Sequence, residues 1–567
     1  MNPVENRPKL DPIDPQNRDV QPSAQRSMWL DGWIALGLGI IALICYVRTL
    51  APDVLYGDSA EFQALSYTMG IAHTTGYPVY VLLGKILGTL LPFGNFAYRI
   101  NLLSAIYAAG TLSGMYLLGR FITRSRVGPV LGAVAMGVAY SFWSQAVIAE
   151  VYTLATLVLT WSVYCLWRWQ EDPYHRGRWV LATMLLLGLG VHTVVELVVP
   201  AVGIFILWTL WVRRASAGRP GEVQPARAWG KAIGMAVLGG AMGAIIFFGG
   251  FFLSDSLINP PTSFLNVALL PSRSLWGAST ADLDTFFKRV YNTVVSLQWG
   301  KQLFSGDPNF MLKELSLYGD ALIKRDFTGL MLSFGLLGLL VSLIRRFRLT
   351  GFVLLSALTL LFYIVNYKVS SKFVFYMATY LFICTFMGVG VGFVLEEIKS
   401  FLSRTGARAG WLRIVLSGLY LVAVLLAAAV FIVPAAASRW DALAAGKATF
   451  FKDDDYTYPL KDLSQPRSVS AEYLRSVPDN ALLLMDWRAL YTTAYLANVE
   501  QYRPNISFRE ASPFPSKDLI PESLLQEVRD ELYAGRPVYI ERMLDNVRDN
   551  FRTRPVAGSR LIQLLIK

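Results

Sequence analysis

The sequence is poor in charged residues, in cysteine and in histidine. Only 16% of its 567 residues are Asp, Glu, Lys or Arg, whereas a soluble globular protein has about 25%, so a chain built only from soluble domains is excluded. The three cysteines, Cys45, Cys165 and Cys384, all lie inside apolar runs, which excludes a secreted disulfide scaffold and favours packing roles. Three histidines argue against a metal site built from several of them, and no metal-binding residue is predicted.

Signatures of soluble enzymes are also missing. The sequence contains no Walker loop, no HExxH and no CxxC, and the glycines of 185–192 lie in an apolar run where glycine serves helix packing. Heptads are absent, which excludes a coiled coil. The excess of 52 basic over 40 acidic residues is therefore interpreted as membrane topology, and no nucleic-acid partner is predicted.

Long apolar runs are what the sequence has in abundance. A helix needs roughly 20 apolar residues to cross a hydrocarbon core of about 30 Å, and about eleven runs approach that length. The run 78–92 is too short and is predicted to be interfacial or re-entrant. The predicted fold class is an α-helical polytopic membrane protein. Its spans are predicted near 29–50, 98–121, 127–143, 148–168, 179–195, 196–213, 230–253, 327–345, 349–367, 373–397 and 411–435.

Basic residues predict the orientation of these spans. With the N-terminus in the cytoplasm, every short inside loop carries Lys or Arg, as the positive-inside rule expects. An odd number of spans then places the C-terminal part outside. The first span lacks a cleavage site and is predicted to be a retained anchor, which suits a bacterial plasma membrane.

The same pattern predicts three parts of the chain. Residues 1–28 are predicted to be a disordered cytoplasmic tail, and residues 29–436 a transmembrane domain with outer loops 51–97 and 254–326. Residues 437–567 are predicted to be a small extracytoplasmic α/β domain, because strand and helix signals alternate there. Its strand-like runs are 481–487, 537–542 and 560–567.

Loop 51–97 contains an informative pair of carboxylates. Asp58 and Glu61 stand three apart just after Gly57, so a helix that starts there would hold both near one face of its first turn. One interpretation is purely structural, because Asp at an N-cap with Glu three residues later approximates a capping box. The other is chemical, because an interfacial carboxylate can act as a general base. Both interpretations stay open at this point.

Other ionisable residues stand at the predicted outer ends of spans. Glu150 lies in a turn between two spans, and His192 ends another. Groups at this depth usually face a cavity or a partner, although each could also reach water. Four outer cations could bind an anionic lipid headgroup such as a phosphate or be ordinary solvated charges. They are Arg99, Arg273, Lys368 and Lys372, of which the two lysines argue more strongly because they oppose the charge bias.

A longer motif surrounds the carboxylate pair. GDSAEF at 57–62 is followed by GIAHTTGYPVYVLLGK at 70–85. These segments resemble the N-terminal signature of a membrane family whose animal member is a transmembrane protein O-mannosyltransferase. The family pattern is Asp-Ser-Gly-Glu-Phe, then Ala-His-Pro-Pro-Gly-Tyr-Pro-Leu-Tyr, and here Ala60 replaces Gly and Thr74-Thr75 replace Pro-Pro. The matching positions are Asp58, Ser59, Glu61, Phe62, His73, Gly76, Tyr77, Pro78 and Tyr80.

The resemblance implies a GT-C type glycosyltransferase with its active site at the outer membrane face. Such an enzyme would move a hexose, mannose being one candidate, from a polyprenyl-phosphate-linked donor to an extracytoplasmic acceptor, a protein Ser/Thr or a glycan. No cofactor is predicted with certainty, and the need for a divalent metal stays open. The expected roles are Asp58 as general base, and Glu61 positioning the acceptor or donor or sharing the base role. His73 and Tyr77 would line the pocket, Glu150 and His192 would close it, and the phosphate would be held by Lys368 and Lys372, with Arg99 and Arg273 as further candidates.

Two other functions stay open. A transporter or lipid flippase would tend to show inverted repeats and polar sites near the bilayer midplane, and neither is visible in the sequence. A non-catalytic membrane scaffold would keep the fold and use Asp58 and Glu61 only as a helix cap.

Overall fold

The computed structural model describes residues 22–214, 225–369, 372–404, 410–447, 458, 460, 462–501, 503–516 and 518–567. Most of the predicted tail, residues 1–21, lies outside the described residues, and a helix already begins at Pro22. The helices are α1 Pro22–Arg48, α2 Gly57–Thr68, α3 Pro78–Leu90, α4 Phe96–Arg120, α5 Val127–Val138, α6 Tyr140–Ala146, α7 Tyr152–Glu171, α8 Gly177–Gly188, α9 Thr193–Glu196, α10 Val199–Arg213, α11 Pro225–Phe252, α12 Phe286–Val294, α13 Pro308–Asp320, α14 Gly329–Arg345, α15 Phe347–Asn366, α16 Phe373–Arg404, α17 Gly410–Ala445, α18 Gln465–Arg475, α19 Trp487–Tyr495, α20 Glu522–Tyr533 and α21 Val547–Asn550.

The polytopic helical fold class is confirmed. Among the described residues, seven helices are long and apolar enough to cross a membrane, and nine if each of two bent pairs forms one span. The predicted span 127–143 is one of these pairs, because α5 and α6 meet at 69°. The other pair joins Pro308–Asp326 to α14 at 115°. The predicted span 179–195 overlaps α8, a helix of only 12 residues, and the total of eleven spans stays a prediction.

Helix α16 packs against α5 and α14 through glycines. A Cβ added to Gly338 of α14 would lie 1.8 Å from the carbonyl oxygen of Phe386 in α16. A Cβ on Gly128 of α5 would lie 2.2 Å from the carbonyl oxygen of Gly388 on the same helix. Small residues at these contacts let helix backbones approach closely, as in other membrane bundles. The bundle therefore closes around α16, which is mostly buried.

The C-terminal region carries a five-stranded mixed sheet with the order β2-β1-β3-β5-β4. Strand β1 is parallel to β2 and β3, while β5 is antiparallel to β3 and β4. The three predicted strand-like runs contain β1, β3 and β5. Strands β2 and β4 were not predicted, because each is a short edge strand rich in polar residues. The strands are β1 Leu482–Met485, β2 Ser507–Glu510, β3 Val538–Ile540, β4 Arg552–Pro555 and β5 Ile562–Leu565.

The C-terminal region docks at one end of the helical bundle. Asp31 near the start of α1 pairs with Arg120 at the end of α4, whereas Asp53, just after α1, pairs with Arg467 of α18 at 2.6 Å. The C-terminal region therefore lies at the end opposite the start of α1. Its helix α19 packs against α2, and Thr492 donates a hydrogen bond to the backbone carbonyl of Leu55.

Candidate active site

A cavity of about 680 Å³ lies where the C-terminal region meets the bundle. Its wall combines the start of α2, the loop before α3, the turns around α6 and α9, residues 294–303, the end of α15 and two segments of the C-terminal region. Five of the predicted site residues line this cavity together, although they are far apart in the sequence. They are Asp58, His73, Tyr77, Glu150 and His192.

Asp58 lies in the first turn of α2 and faces the C-terminal region. The indole Nε1 of Trp487, the first residue of α19, donates a 2.6 Å hydrogen bond to its Oδ1. The capping-box interpretation was wrong, because Tyr56 is the N-cap residue of α2 and makes no side-chain cap. The carboxylate of Asp58 is thus held at the cavity by a residue more than 400 positions away.

Glu61 is fully buried and binds His73 instead of capping the helix. Its Oε1 accepts a 2.8 Å hydrogen bond from the backbone nitrogen of His73, and its Oε2 lies 2.5 Å from the His73 Nδ1. Burial alone would lower the pKa of His73, but the charges of Glu61 and Asp58 outweigh it and raise that pKa to about 10. We therefore describe His73 as an imidazolium paired with the Glu61 carboxylate at neutral pH.

The loop between α2 and α3 folds into a tight turn that presents His73 and Tyr77. Gly76 has a φ of +87°, a conformation that glycine adopts most readily, and a Cβ there would lie 2.9 Å from the Phe251 ring. Tyr77 is the N-cap residue of α3, and its ring stacks on that of His192 with centroids 6.0 Å apart. The turn thus connects the carboxylate pair to the wall formed by α9.

Glu150 and His192 form the inner side of the cavity. Glu150 lies in the turn before α7, and its Oε1 accepts a 3.4 Å hydrogen bond from Ser59. Burial and the nearby charge of Asp58 raise the pKa of Glu150 well above its usual range. His192 Nδ1 accepts a hydrogen bond from the backbone nitrogen of Val194, so a neutral His192 carries its proton on Nε2.

The four predicted phosphate-binding cations do not line the cavity. Lys368 and Lys372 pair with acidic residues, Asp307 at 3.6 Å and Glu314 at 3.0 Å respectively. They nevertheless flank Val369 and Phe373 in the sequence, and these two residues do line it.

The two arginines make local contacts. Arg99 donates to the backbone carbonyls of Gly88, Phe93 and Gly94, and Arg273 donates to that of Leu270. The structure therefore does not bring these four cations together in the cavity, and their role at a lipid phosphate stays a prediction.

Several cavity residues were missed from the sequence. Trp487 is the last residue of the strand-like run 481–487, which predicted a strand but not a site residue. Glu510 ends β2, and the alternation of buried Phe508 and Glu510 with less buried neighbours is a weak signal of a strand. Trp299 and Phe514 stack with centroids 4.5 Å apart, and nothing in the sequence links them.

Within the described ranges, no group of three or more His, Cys, Asp or Glu side chains is close enough to share a metal ion. Asp58 is instead bound by Trp487 and Glu150 by Ser59, while the buried Glu61 beside the cavity is bound by His73.

Comparison with known proteins places this chain beside one family. Residues 58–215 match the model of the protein O-mannosyl-transferase TMEM260 N-terminal domain. The mouse protein O-mannosyl-transferase TMEM260 is 28% identical over 181 residues, 31% of this chain and 26% of that protein. Its Dictyostelium discoideum counterpart is 24% identical over 352 residues, 58% of this chain and 39% of that protein. The matched part thus spans well under half the length of these curated relatives.

A solved structure extends the likeness to the fold of the whole chain. The crystal structure of ArnT from Cupriavidus metallidurans bound to undecaprenyl phosphate covers 94% of this chain and 98% of its own. The TM-score is 0.52 at 12% sequence identity, so this likeness concerns the fold alone. The predicted resemblance is confirmed: residues 58–215 are related to the TMEM260 N-terminal domain, and the chain has a GT-C fold like that of ArnT.

Proposed function

We propose that this protein is a glycosyltransferase that moves a hexose from a polyprenyl phosphate to a hydroxyl group of an extracytoplasmic acceptor. The observation that carries the proposal is the Asp58 carboxylate, held by Trp487 in the cavity that His73 also lines. The relatives named O-mannosyl-transferases and the fold shared with ArnT support the reaction class. Mannose is the first sugar to test, and protein Ser/Thr the first acceptor.

Asp58 is proposed as the general base. Its carboxylate would take the proton of the acceptor hydroxyl while the acceptor oxygen forms a bond to the anomeric carbon of the sugar. The bond between that carbon and the phosphate oxygen breaks, and the electron pair leaves on the lipid phosphate. Trp487 would orient the carboxylate through its hydrogen bond. Glu61 would act indirectly, because its carboxylate is bound by His73.

The charges around the cavity suit this step. His73 is the cationic side chain of the described lining, and it would offset the negative charge that grows on the leaving phosphate. Lys368 and Lys372 flank the lining and are proposed as contacts for the lipid phosphate outside the cavity. Arg99 and Arg273 have no part in the proposal, because their hydrogen bonds serve the local backbone.

The dimensions and position of the cavity also support a lipid-linked donor. A volume of about 680 Å³ lies within the range of small-ligand sites, about 300 to 1,000 Å³. The cavity lies at the end of the bundle where the C-terminal region docks, which the positive-inside rule predicts to be extracytoplasmic. A donor anchored in that leaflet would reach the cavity without a nucleotide-binding loop.

The test is a transfer assay on the full chain purified in lipid. Labelled polyprenyl-phosphate-mannose and other hexose donors are offered with Ser/Thr peptides and envelope extract. We expect Asp58→Asn to lower transfer by at least about 100-fold, as loss of a general base does. Asp284→Asn is the matched control. Asp284 is an exposed residue just before α12, and it pairs with Lys288. Circular dichroism and gel filtration show whether both variants fold.

The result can contradict the proposal in two ways. Full transfer by a folded Asp58→Asn protein would exclude Asp58 as the base. A wild-type protein that consumes none of the donors would argue against the enzyme class. In that case, movement of the labelled lipid across vesicle membranes would favour the flippase alternative.

A further inference from the structure

Glu510 belongs to the C-terminal sheet and lines the cavity. It is the last residue of the edge strand β2, where it pairs with Met485 of β1. The strand alternation turns Phe508 and Glu510 inward and leaves Ser507 and Arg509 less buried. Glu510 is only 5% exposed, yet it contributes to the wall of the cavity that contains Asp58. The sheet therefore adds a carboxyl group from outside the bundle to those of Asp58 and Glu150 in the cavity wall.

One oxygen of this carboxyl group has no partner within the chain. Glu510 Oε2 is buried and accepts no hydrogen bond from any residue that the structure describes. Glu541, which follows β3 in the same sheet, differs in this respect. Its Oε1 accepts from the Tyr473 hydroxyl at 3.0 Å and its Oε2 from the Asp486 backbone nitrogen at 3.1 Å. Buried polar atoms are nearly always hydrogen-bonded, and Glu510 lines the cavity. The missing partner of its oxygen is therefore expected in a molecule that enters the cavity.

The surroundings of Glu510 indicate the chemistry of that partner. The charges of Glu61, Asp486 and Asp58 act on it, opposed by His73, so an anion would be repelled. Burial, reinforced by these carboxylates, raises the pKa of Glu510 to about 8, which leaves the group largely protonated at neutral pH. A protonated carboxyl both donates and accepts, and a hydroxyl group can do the same in return.

A flat aromatic wall lies close to Glu510 in the sequence. Phe514, four residues further on, stacks on Trp299 at an interplanar angle of 13°, and both residues line the cavity. Sugar rings have apolar C–H faces that pack on aromatic rings, while their hydroxyl groups point to polar neighbours. A carboxyl group and an aromatic wall that line the same cavity are the combination expected for a hydroxylated ligand.

We propose that Glu510 binds a hydroxyl group of a substrate in this cavity. The inference rests on the proposed function and deepens it, because it makes the C-terminal region part of the substrate site. Two sources offer the same chemistry: a ring hydroxyl of the transferred sugar, or a hydroxyl of the acceptor. The hydrogen bond would be made in the bound complex, since the chain itself leaves the oxygen unpartnered among its described residues.

The test is Glu510→Met in the full chain, assayed with polyprenyl-phosphate-mannose and a Ser/Thr peptide. Methionine keeps the length of the side chain and removes both oxygens. We expect kcat/KM to fall about 10- to 100-fold, the usual effect of leaving a buried hydrogen-bonding partner unsatisfied. We expect the melting temperature to stay equal or rise, because Oε2 holds no described partner. Glu527→Met, a change on α20 away from the cavity, is the control and should leave kcat/KM unchanged.

Two further measurements identify the source of the hydroxyl. Slow donor hydrolysis without acceptor should fall in Glu510→Met if the residue binds the sugar, and should stay unchanged if it binds the acceptor. In the first case, one monodeoxy-mannose donor should lower kcat/KM of the wild type as much as Glu510→Met lowers it with the full donor. Combining that donor with Glu510→Met should lower kcat/KM no further. In the second case, the loss should depend on the acceptor concentration.

The inference is overturned by any of three results. These are an unchanged kcat/KM, a melting temperature that falls in parallel with activity, and an additive loss with every deoxy donor without dependence on the acceptor. If the wild type turns over no donor at all, the proposed function fails and the inference fails with it. That case is recognised from the wild type alone, before any variant is compared.

Discussion

Asp58 and Glu61 are separated by one turn of α2, yet their carboxylates meet different surroundings. Asp58 lines the cavity and accepts a hydrogen bond from Trp487. Glu61 is fully buried and is bound twice by His73. Both Glu61 oxygens are thus engaged by His73, and Glu61 is not among the described residues that line the cavity. The contacts therefore favour Asp58 as the base and give Glu61 the task of holding His73 in place.

Glu510 gives a residue-scale prediction about pH. Its pKa is raised to about 8 in the folded chain from an ordinary value near 4.3, so folding favours its protonated form. That contribution to stability is complete below the unfolded pKa and is lost as the pH rises through about 8. Glutamine cannot titrate, so Glu510→Gln should gain in melting temperature over the wild type between pH 5 and pH 8.

Thermal unfolding of both proteins in one detergent, at several pH values, checks this expectation. Glu527→Gln serves as the control for general effects of pH, because Glu527 belongs to the same region and is paired with Arg509 outside the cavity lining. A difference in melting temperature that is constant with pH, or that shrinks as the pH rises, would show that burial of Glu510 does not disfavour its charged form.

At the scale of elements, close helix contacts depend on glycine at particular positions. Gly338 and Gly390 face each other between α14 and α16, where a Cβ on Gly390 would lie 2.0 Å from the Phe334 carbonyl oxygen. Backbone atoms cannot move aside as a flexible side chain can. The helices must therefore separate if either glycine gains a side chain, and α16 also holds α5 and α15.

Gly338→Ala is the prediction at this scale, and Gly203→Ala is its matched control. Both residues lie inside helices, but a Cβ on Gly203 has no atom within 4 Å. Alanine favours a helix over glycine by about 0.5–1 kcal/mol. We expect Gly203→Ala to leave the melting temperature equal or higher, and Gly338→Ala to lower it by several degrees. Equal melting temperatures for the two variants would show that α14 and α16 do not pack as closely as described.

At the scale of the whole molecule, the site exists only where two regions meet. The bundle and its loops supply Asp58, His73 and Glu150, and the C-terminal region supplies Trp487 and Glu510. The docking contacts include Arg467, which pairs with Asp53 in the loop and with Glu500 in its own region. Docking is thus expected to govern activity even though this ion pair lies outside the cavity.

Arg467→Met tests this dependence in the full chain. Loss of the pair with Asp53 should loosen the docked region, lower transfer several-fold and make the C-terminal region more susceptible to limited proteolysis. Arg475→Met, at an exposed position of the same helix, should change neither. Because Arg467 is about one-third exposed, the effect on the melting temperature is expected to be small. Faster proteolysis without any loss of transfer would separate docking from catalysis.

The sequence by itself determined the polytopic helical class, the C-terminal strands β1, β3 and β5, and the motif that contains Asp58, Glu61, His73 and Tyr77. These follow from local properties: apolar length, alternation of apolar residues and a contiguous signature. Glu150 and His192 were also predicted, because an ionisable residue at the end of an apolar run stands out against its neighbours.

Only the tertiary structure decided which side chains share the cavity. The pairing of Glu61 with His73 replaced the predicted cap, and the four cations folded onto partners of their own. Trp487 and Glu510 reach Asp58 across more than 400 residues, a juxtaposition created by the docking of α19 on α2. Long-range contacts of this kind depend on packing between distant elements, and packing leaves no periodic trace in the sequence from which a contact can be predicted.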